Sequence, residues 1–589
     1  NATLTFTDQA AGARYALAKI NLKTGRIASG VPTNIELAFA AQSDKPKLSL
    51  ETALKTRLTF DLDKQRYVLE GLDLNAKGNA AGYSNLVASV KGDVDARPAT
   101  KEFSASKLAV AVTGKQAGGD LNVKFALPKL NIAKDKVSGD KITLDAAMSE
   151  ARSKLTARVE IPAIEGTAKS FQAGQMTANL DMQQEGVTVK AKITSPLAGS
   201  VEAERIELTK LVATVNVNNP KLPKNPIDAS ISGAALVDLA KQTARLTFAT
   251  RFDDSNISGR AGLAKFTPPF YTFDINIDQL DVDRYLPKTD PKAKPEQPFD
   301  FSALKGLNAT GSVKIGSLKA ANLKASNVRI DVKAANGRLD VSPLSANLYQ
   351  GTLSGVLAVN AAATPTFAVK QNLNGINVGP LLKDFANNDT LEGKGNVTLD
   401  VTGQGNTVAA LKKALNGAAV VRLTDGAVKG IDIAGSIRNA KAKLGTLKGQ
   451  QVQQADTKQK TDFSELAATF NIKNGIARNN DLSIKSPLLR VGGEGDINIG
   501  EDSLNYLVKA SIVGTTKGQG GRELDDLKGL TVPVRVTGAL AAPSYKLDFE
   551  SMVTEVAKQK VEQAVKGELG KRLGGGTAKD GAKNSGGYR

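Results

Sequence analysis

The chain has 589 residues, no histidine, no cysteine, no tryptophan and a formal net charge of +19. Without histidine and cysteine it has no imidazole base for neutral pH, no Ser-His-Asp or Cys-His nucleophile, and no zinc or copper site built from those ligands. Paired carboxylates and Ser-Lys chemistry stay formally open, but we do not expect an enzyme, a metal site or a cofactor.

The positive charge indicates either a partner that carries phosphates or a solvated polar face. The lysines are spread along the chain and only 5% of the residues are aromatic. Because proteins that stack nucleic-acid bases need aromatic platforms, we do not expect a nucleic-acid partner. A solvated polar face, with weak attraction to anionic lipid head groups, fits the composition better than a nucleic-acid partner does.

The chain begins at Asn1 in sequence that already alternates like a strand, at Leu4–Thr7. We therefore expect it to be a piece of a longer protein, with any signal or membrane anchor upstream. No apolar run approaches the ~20 residues that span a bilayer. Farther along, apolar residues occupy every second position of Ala213–Asn218, which predicts a strand with one apolar and one polar face.

The same alternation predicts strands at Asn396–Thr402, Gly495–Ile499, Leu530–Val536 and Tyr545–Phe549. Turn sequences interrupt the strands at short intervals, namely Lys23-Thr24-Gly25, Asn336-Gly337, Asp425-Gly426 and Asn474-Gly475. A mean strand of 5–6 residues, here somewhat longer, gives roughly 35–45 strands. Burial of one face only is typical of antiparallel sheets.

Helical patterns are few. Val378–Phe385 has an early proline and an apolar stripe, Thr407–Gly417 has a threonine start and an Asn-Gly stop, and residues 431–444 also read as helix. Residues 550–573 predict a basic amphipathic helix with the apolar positions Val553, Val556, Val561, Val565, Leu569 and Leu573. The helices at Leu381–Phe385, Val408–Leu415 and 550–573 either lie in a membrane interface or cap the sheet, and the pattern leaves both open.

These patterns divide the chain into a curled sheet region at 1–286, a proline-rich loop at 287–300, a second β region with short helices at 301–549, the amphipathic helix at 550–573 and a disordered tail at 574–589. The predicted fold class is mainly β: a long, curled antiparallel β-sheet that forms an elongated hydrophobic groove. Forty strands at ~4.8 Å would extend on the order of 200 Å.

The helices are too few to cover such a sheet, so its apolar face meets itself, a partner or lipid. The inward residues are small to medium aliphatics, which suits acyl chains, while ordinary core packing stays the alternative. The candidate groove residues are Val215, Val217, Val397, Leu399, Val401, Ile497, Ile499, Val532, Val534 and Val536.

The region from Leu304 to Phe549 resembles the C-terminal region of the AsmA family. The resemblance is carried by four long segments in order, at Ser345–Ala361, Gly393–Ala440, Thr461–Ile499 and Leu527–Phe549. Residues 1–270 share only the general β pattern.

The resemblance implies a bacterial envelope protein, held in the inner membrane by an N-terminal anchor that this chain lacks, and projecting into the periplasm. It implies a similarity to bridge-like lipid-transfer proteins, with phospholipid as the partner and the outer membrane left open as a second contact. The implied function is phospholipid transport or bridging between the inner and outer membranes, in support of outer-membrane biogenesis and integrity. No catalytic residues carry over. The alternative function is an envelope scaffold or assembly factor for outer-membrane proteins, which binds by strand addition and conducts no lipid.

Overall fold

The structure is a computed structural model that describes residues 2–8, 13–45, 47–80, 82–116, 118–220, 222, 224–285, 298–430, 432–433, 453–454, 456–487, 489–513 and 531–547. The chain divides into two compact units. The N-terminal unit comprises Asn1–Ala293, Gly306–Ala321 and Ser326–Asn336, and the C-terminal unit comprises Lys294–Lys305, Asn322–Ala325 and Gly337–Arg589.

The strands up to residue 336 are long, and many have 12 to 15 residues. They are β1 (Ala2–Asp8), β2 (Ala13–Thr24), β3 (Thr33–Asp44), β4 (Lys47–Asp61), β5 (Arg66–Ala80), β6 (Tyr83–Arg97), β7 (Glu102–Gln116), β8 (Gly119–Ile132), β9 (Val137–Gly139), β10 (Ile142–Glu150), β11 (Ser153–Ile161), β12 (Ile164–Gly166), β13 (Phe171–Gln184), β14 (Val187–Ser200), β15 (Arg205–Asn218), β16 (Ile227–Asp238), β17 (Thr243–Phe252), β18 (Ser255–Lys265), β19 (Phe270–Asp281), β20 (Ala309–Ala320) and β21 (Leu323–Ala335). Short 3-10 helices lie at Pro98–Thr100, Val282–Arg284 and Ser302–Gly306.

Neighbours in the chain are neighbours in the sheet. Strands β1 to β8 pair antiparallel in sequence order, and so do β13 to β19. Between these runs, two neighbouring positions in the sheet are each divided into two shorter strands. One position contains β9 and β10, which both pair with β8, and the other contains β11 and β12, which both pair with β13. This is the meander that one-sided burial predicts.

One pair departs from the predicted antiparallel pattern, because β19 and β20 are parallel. A parallel neighbour needs a connection of a dozen or more residues that returns the chain to the starting edge. Residues 282–308, which contain the proline-rich segment, provide that length. Alternation alone does not distinguish this pair from a hairpin.

Bulges recur along the ladder and bend the strands. The register shifts between Ala18 and Asn21 of β2 and between Leu69 and Leu72 of β5. Lys19 and Gly71 have positive φ at these two places. Bulges increase the right-handed twist locally, so a sheet that repeats them curls.

The C-terminal unit contains the remaining strands and two short α-helices. They are β22 (Arg338–Leu348), β23 (Gly351–Asn360), β24 (Thr366–Asn377), α1 (Val378–Ala386), β25 (Leu391–Gln404), α2 (Val408–Lys413), β26 (Asn416–Gly430), β27 (Gln453–Gln454), β28 (Asp456–Lys473), β29 (Ile476–Lys485), β30 (Leu489–Asn498), β31 (Ser503–Ile512), β32 (Thr531–Ala539) and β33 (Ala542–Leu547). Strands β22 to β26 pair in order, β26 pairs with β28, and β28 to β33 continue the ladder.

The last strands close on themselves. Strand β27, which directly precedes β28 in the chain, pairs with β33 through Gln453 with Tyr545 and Gln454 with Ser544. The Tyr545 hydroxyl also donates to Gln459 Oε1 at 3.3 Å. The ladder from β28 to β33 therefore returns to the chain segment from which it started, which removes a free edge.

The interior of the C-terminal unit is filled. Twelve buried side chains form one cluster, whose members come from strands as distant in the ladder as β24 and β32, at Ile376 and Val532. Helix α1 lies on this cluster through Leu381 and Leu382. The apolar faces of non-neighbouring strands therefore meet, as they do in a closed sheet.

The mainly-β prediction is confirmed, and so are the first helix and the strands predicted at Ala213–Asn218 and Asn396–Thr402. The strand predicted at Gly495–Ile499 ends at Asn498, and residues 530, 548 and 549 of the last two predicted strands lie outside the described residues. The predicted helix from Thr407 is shorter than expected, because it ends at Lys413 and Asn416 already begins β26. The turn predicted at Asp425-Gly426 is wrong, since both residues lie inside β26, where positive φ at Asp425 serves a bulge. The predicted helices at 431–444 and 550–573 and the tail lie outside the described residues, apart from residues 432–433.

Candidate functional site: the apolar row of the N-terminal unit

Each strand of the N-terminal unit has two different faces. In β17, Leu246, Phe248 and Thr250 are partly buried, whereas Thr247 and Ala249 between them are exposed. The alternation follows from the pleat, which directs successive side chains to opposite faces. We call these the apolar face and the polar face of the unit.

The pairing register aligns the apolar positions of 17 described strands into one unbroken row across the sheet. Each member lies directly opposite the next on the neighbouring strand, so all of them occupy the same face. The row runs Leu22, Leu37, Leu54, Leu74, Val90, Val110, Phe125, Leu144, Val159, Ala178, Ile193, Ala213, Ile231, Thr250, Ile257, Ile277 and Ile315.

Only Thr250 in this apolar row has a polar side chain, and no member carries a charge. Sixteen steps between strands at ~4.8 Å give the row a length of roughly 80 Å, measured along the sheet. That length exceeds the ~30 Å hydrocarbon core of a bilayer. The row is therefore much longer than a pocket for a single small ligand.

Further rows widen the face. Two residues along each strand, a second row passes through Leu180, Ala191, Val215, Ala229 and Phe252. A third passes through Leu121, Met148, Leu155, Met182, Val189, Val217 and Ile227. Rows lie about 7 Å apart, so the three together make an apolar band on the order of 14 Å across.

The face is only partly covered. Among the described residues of the N-terminal unit, the buried hydrophobic side chains number eleven, and seven of them are alanines. Most members of the apolar row are partly buried, which differs from Leu423 and Val534 of the C-terminal unit at 1% exposure each. The larger aliphatic side chains of the N-terminal face thus retain surface that a second layer of protein would have removed.

The predicted groove residues fall into two groups. Val215 and Val217 lie on the partly covered face of the N-terminal unit. The other eight are in the C-terminal unit, where Val532 belongs to the large cluster and Val397 packs against it. Val534 is fully buried, whereas Val536 is partly buried.

Val401 is buried in a second, smaller cluster, and Leu399, Ile497 and Ile499 pack against it. Contact of any of these ten residues with lipid stays a prediction.

Helix α1 has both an inner and an outer apolar side chain. Leu381 and Leu382 contact the large cluster, while Phe385 is 65% exposed. The six candidate residues from Val553 to Leu573 lie outside the described part of the chain. None of the helices in the described residues is long and apolar enough to cross a membrane.

A group of polar residues, which we call the charged corner, lies where β17 and β19 end. Asp253, in the turn between β17 and β18, accepts hydrogen bonds from Lys224 Nζ at 2.7 Å, Arg284 Nη1 at 2.8 Å and the Tyr285 hydroxyl at 3.0 Å. These contacts, that of Lys224 first, lower the pKa of Asp253 to about 2. The corner fixes the exit of β19, and it contains no side chain of the apolar row.

None of the 17 residues of the apolar row is among the groove residues predicted from the sequence. Each lies in an alternating segment, but a row exists only when the register of every pair is known. The turn positions carry part of that signal, because the loop length sets the register of a hairpin. The bulges shift the register again inside the strands, and alternation does not show where they are.

A sequence model of the AsmA family matches residues 1–482, so the match includes the first half of the chain, where only the β pattern had been visible. The chain is also similar to Protein AsmA of Escherichia coli (strain K12), with 22% identity over 390 residues, or 61% of this chain. The matched part spans 62% of that relative's length. Since the family model covers well over half of the chain, the protein belongs to the AsmA family.

Proposed function

We propose that this chain is a non-enzymatic lipid carrier of the bacterial envelope, which holds phospholipid acyl chains against the apolar face of its N-terminal unit. The observation that carries the proposal is the apolar row from Leu22 to Ile315, which contains no charge across 17 strands. Each CH₂ group moved from water onto such a face gains ~0.8 kcal/mol, so acyl chains are favourable occupants.

The head groups would stay in water at the border of the band. Exposed charged residues occupy the polar face, whereas the row itself carries no charge that could pair with a phosphate. A lipid can therefore move from one strand to the next without an unpaired charge entering the band. Membership of the AsmA family supports a periplasmic position, with phospholipid supply to the outer membrane as the role.

The proposal restricts lipid to the N-terminal unit. The large cluster of the C-terminal unit already occupies the space on which its strands converge. Acyl chains would have to displace packed side chains there, at the cost of the contacts that make the core dense. The C-terminal unit would then contribute no length to the band.

The first experiment places a photo-crosslinking amino acid at Ile231, which lies in the row, and at Ser232, the next residue, which lies on the polar face. Crosslinking is done in living cells, and the captured species are identified by mass spectrometry. We expect phospholipid at position 231 and none at position 232. Capture of polypeptide at position 231, without lipid, would instead support the assembly-factor alternative.

A second experiment separates binding from movement. The Ile231→Asp substitution places a carboxylate inside the row, where an unpaired charge is costly against hydrocarbon. Crosslinkers at Leu54 and Ile277, on either side, then report whether lipid still reaches both ends. We expect one side to lose lipid while Ser232→Asp leaves both sides loaded; equal loading in the two variants would contradict carriage along the row.

A further inference from the structure

The polar face of the N-terminal unit contains a cleft of about 800 Å³. Its floor is a second kind of cross-strand row, in which Asn179, Lys192, Thr214, Ser230 and Arg251 lie opposite one another on β13 to β17. All five side chains are exposed. These five side chains alternate with the apolar row and so lie on the opposite face, although Ala191, Val215, Ile227 and Ala229 of the apolar band also line the cleft.

The carboxylates of the cleft are largely matched. Asp253 is held by the charged corner, and Asp228 accepts a hydrogen bond from Asn216 Nδ2 at 2.7 Å. Asp181 lies directly across from Lys190, which offsets the charge of that lysine. Four cations and three carboxylates line the cleft in total, so its net charge is positive.

Lys190 lies across from Asp181 and Lys224 contacts Asp253, whereas no carboxylate lies directly opposite Lys192 or Arg251. Within the described residues, neither side chain takes part in a hydrogen bond or an ion pair, and the same holds for the hydroxyls of Thr214 and Ser230 between them. Two unpaired cations thus flank two unused hydroxyl groups in one row.

The spacing suits a tetrahedral oxyanion. Lys192 and Arg251 are three strand intervals apart, or ~14 Å between backbones, and both side chains are long enough to lean inward. A guanidinium can bind two oxygens of a phosphate in its plane, while an ammonium supplies a point charge. The threonine and serine hydroxyls below can donate to the remaining oxygens.

We propose that this cleft binds a phosphate group between Lys192 and Arg251, above Thr214 and Ser230. The group belongs either to a lipid head group presented by a membrane surface or to free phosphate. Its site is on the face opposite the acyl band, so the proposal does not depend on lipid carriage along the apolar row.

The test compares two charge-matched double variants of the whole chain. Lys192→Gln with Arg251→Gln removes the two cations, and Lys154→Gln with Arg245→Gln removes two exposed cations of the same face outside the cleft. Inorganic phosphate is titrated calorimetrically, and vesicles of phosphatidylcholine with and without phosphatidylglycerol are used in flotation. Circular dichroism confirms that both variants fold.

We expect the unmodified chain and the control variant to bind equally, and the cleft variant to bind roughly tenfold more weakly, as charge-assisted hydrogen bonds are lost. A difference seen only with anionic vesicles assigns the phosphate to a head group, and one seen with inorganic phosphate assigns it to the free ion. The proposal is overturned if the unmodified chain binds neither probe, or if both double variants lose affinity equally.

Discussion

The two units use the same strand pattern and bury it to very different extents. Among the described residues, the C-terminal unit contains 25 buried hydrophobic side chains and the N-terminal unit eleven, although the N-terminal unit has more strands. Both sheets alternate apolar and polar positions. The alternation therefore predicts that one face of each sheet is apolar, but it does not predict what covers that face.

The difference comes from closure. In the C-terminal unit, β27 pairs with β33 and helix α1 lies on the cluster, so the inner side chains meet one another. In the N-terminal unit, β1 pairs with β2 along one side, and the ladder continues through the parallel pair β19–β20. Open curvature leaves an apolar face available to a ligand, whereas closure converts the same face into a core.

The largest effect is expected for a core truncation that tests this comparison directly. Leu423→Ala removes a side chain that is 1% exposed in the large cluster, which should destabilise the C-terminal unit by ~3–4 kcal/mol. Leu54→Ala in the apolar row should cost only ~1 kcal/mol, since the side chain is partly exposed and leaves no closed cavity.

Urea unfolding followed by hydrogen exchange of peptides from each unit measures both changes. If Leu54→Ala lowers the free energy of unfolding of delipidated protein as much as Leu423→Ala does, the apolar row is a packed core. The contrast between an open N-terminal face and a filled C-terminal interior would then be wrong.

A buried polar network provides the second test. Asn479, 1% exposed, donates from Nδ2 to the Thr469 carbonyl at 2.9 Å and to Asp481 at 2.6 Å, and accepts from the backbone N–H of Leu482 and from the Tyr506 hydroxyl. These bonds satisfy the backbone at a bulge of β29. Asn479→Ala leaves the hydroxyl of Tyr506 buried without its acceptor, so we expect a loss of ~2–3 kcal/mol.

The matched control is Asn505→Ala, an exposed asparagine on β31 whose side chain accepts from Arg535 at 3.3 Å. It should change stability by less than ~0.5 kcal/mol. Chemical denaturation measures the free energy of unfolding of both variants. Equal losses of stability in the two alanine variants would show that burial of the asparagine does not determine the cost of its removal.

The charged corner predicts a pH dependence in the N-terminal unit. The pKa of Asp253 is lowered to about 2 by its hydrogen bonds, that from Lys224 foremost, below its ordinary value of 3.8. A carboxylate with a depressed pKa stabilises the folded state above its unfolded pKa, and that contribution is lost as pH falls toward the folded pKa. Asp253→Asn should therefore destabilise the unit by ~2 kcal/mol at neutral pH.

Unfolding midpoints of the two proteins should converge between pH ~4 and ~2. Asp254→Asn is the control, because Asp254 contacts the same arginine but is 59% exposed. A difference between Asp253→Asn and the unmodified chain that persists unchanged in acid would contradict the assignment.

The smallest effect is expected at the second helix. The Thr407 Oγ1 accepts from the Ala410 backbone N–H at 3.2 Å and caps α2. Thr407→Ala should cost about 1 kcal/mol and increase hydrogen exchange of α2 alone, while Thr407→Ser keeps the cap. Faster exchange throughout the C-terminal unit would instead mean that this helix is part of the closure.

Alternation and turn residues predicted a good part of the architecture. The segment around Val215 is a strand as expected, and Asn336-Gly337 and Asn474-Gly475 form turns with positive φ. The same local signal failed at Asp425-Gly426, because positive φ is needed by a bulge as well as by a turn. Neighbouring residues thus determine the backbone conformation at a position, but they do not determine whether that position lies in a turn or in a bulge within a strand.

The candidate site was predictable in kind and only partly in position. Valines of the Val215 type were identified because alternation assigns them to an apolar face. The core residue Val534 met the same criterion, although it is buried in the C-terminal unit. A valine on an open face and a valine in a core cannot be distinguished without knowing that β33 pairs with β27.

By itself, the sequence determined the β class, the two-faced strands, the absence of histidine and cysteine chemistry, and the family. Only the tertiary structure decided the register that aligns Leu22 to Ile315, the parallel pair, and which face is filled and which is open. The physical reason is that alternation is a property of neighbouring residues, whereas burial depends on which distant strands the bulges and the closing pair bring together.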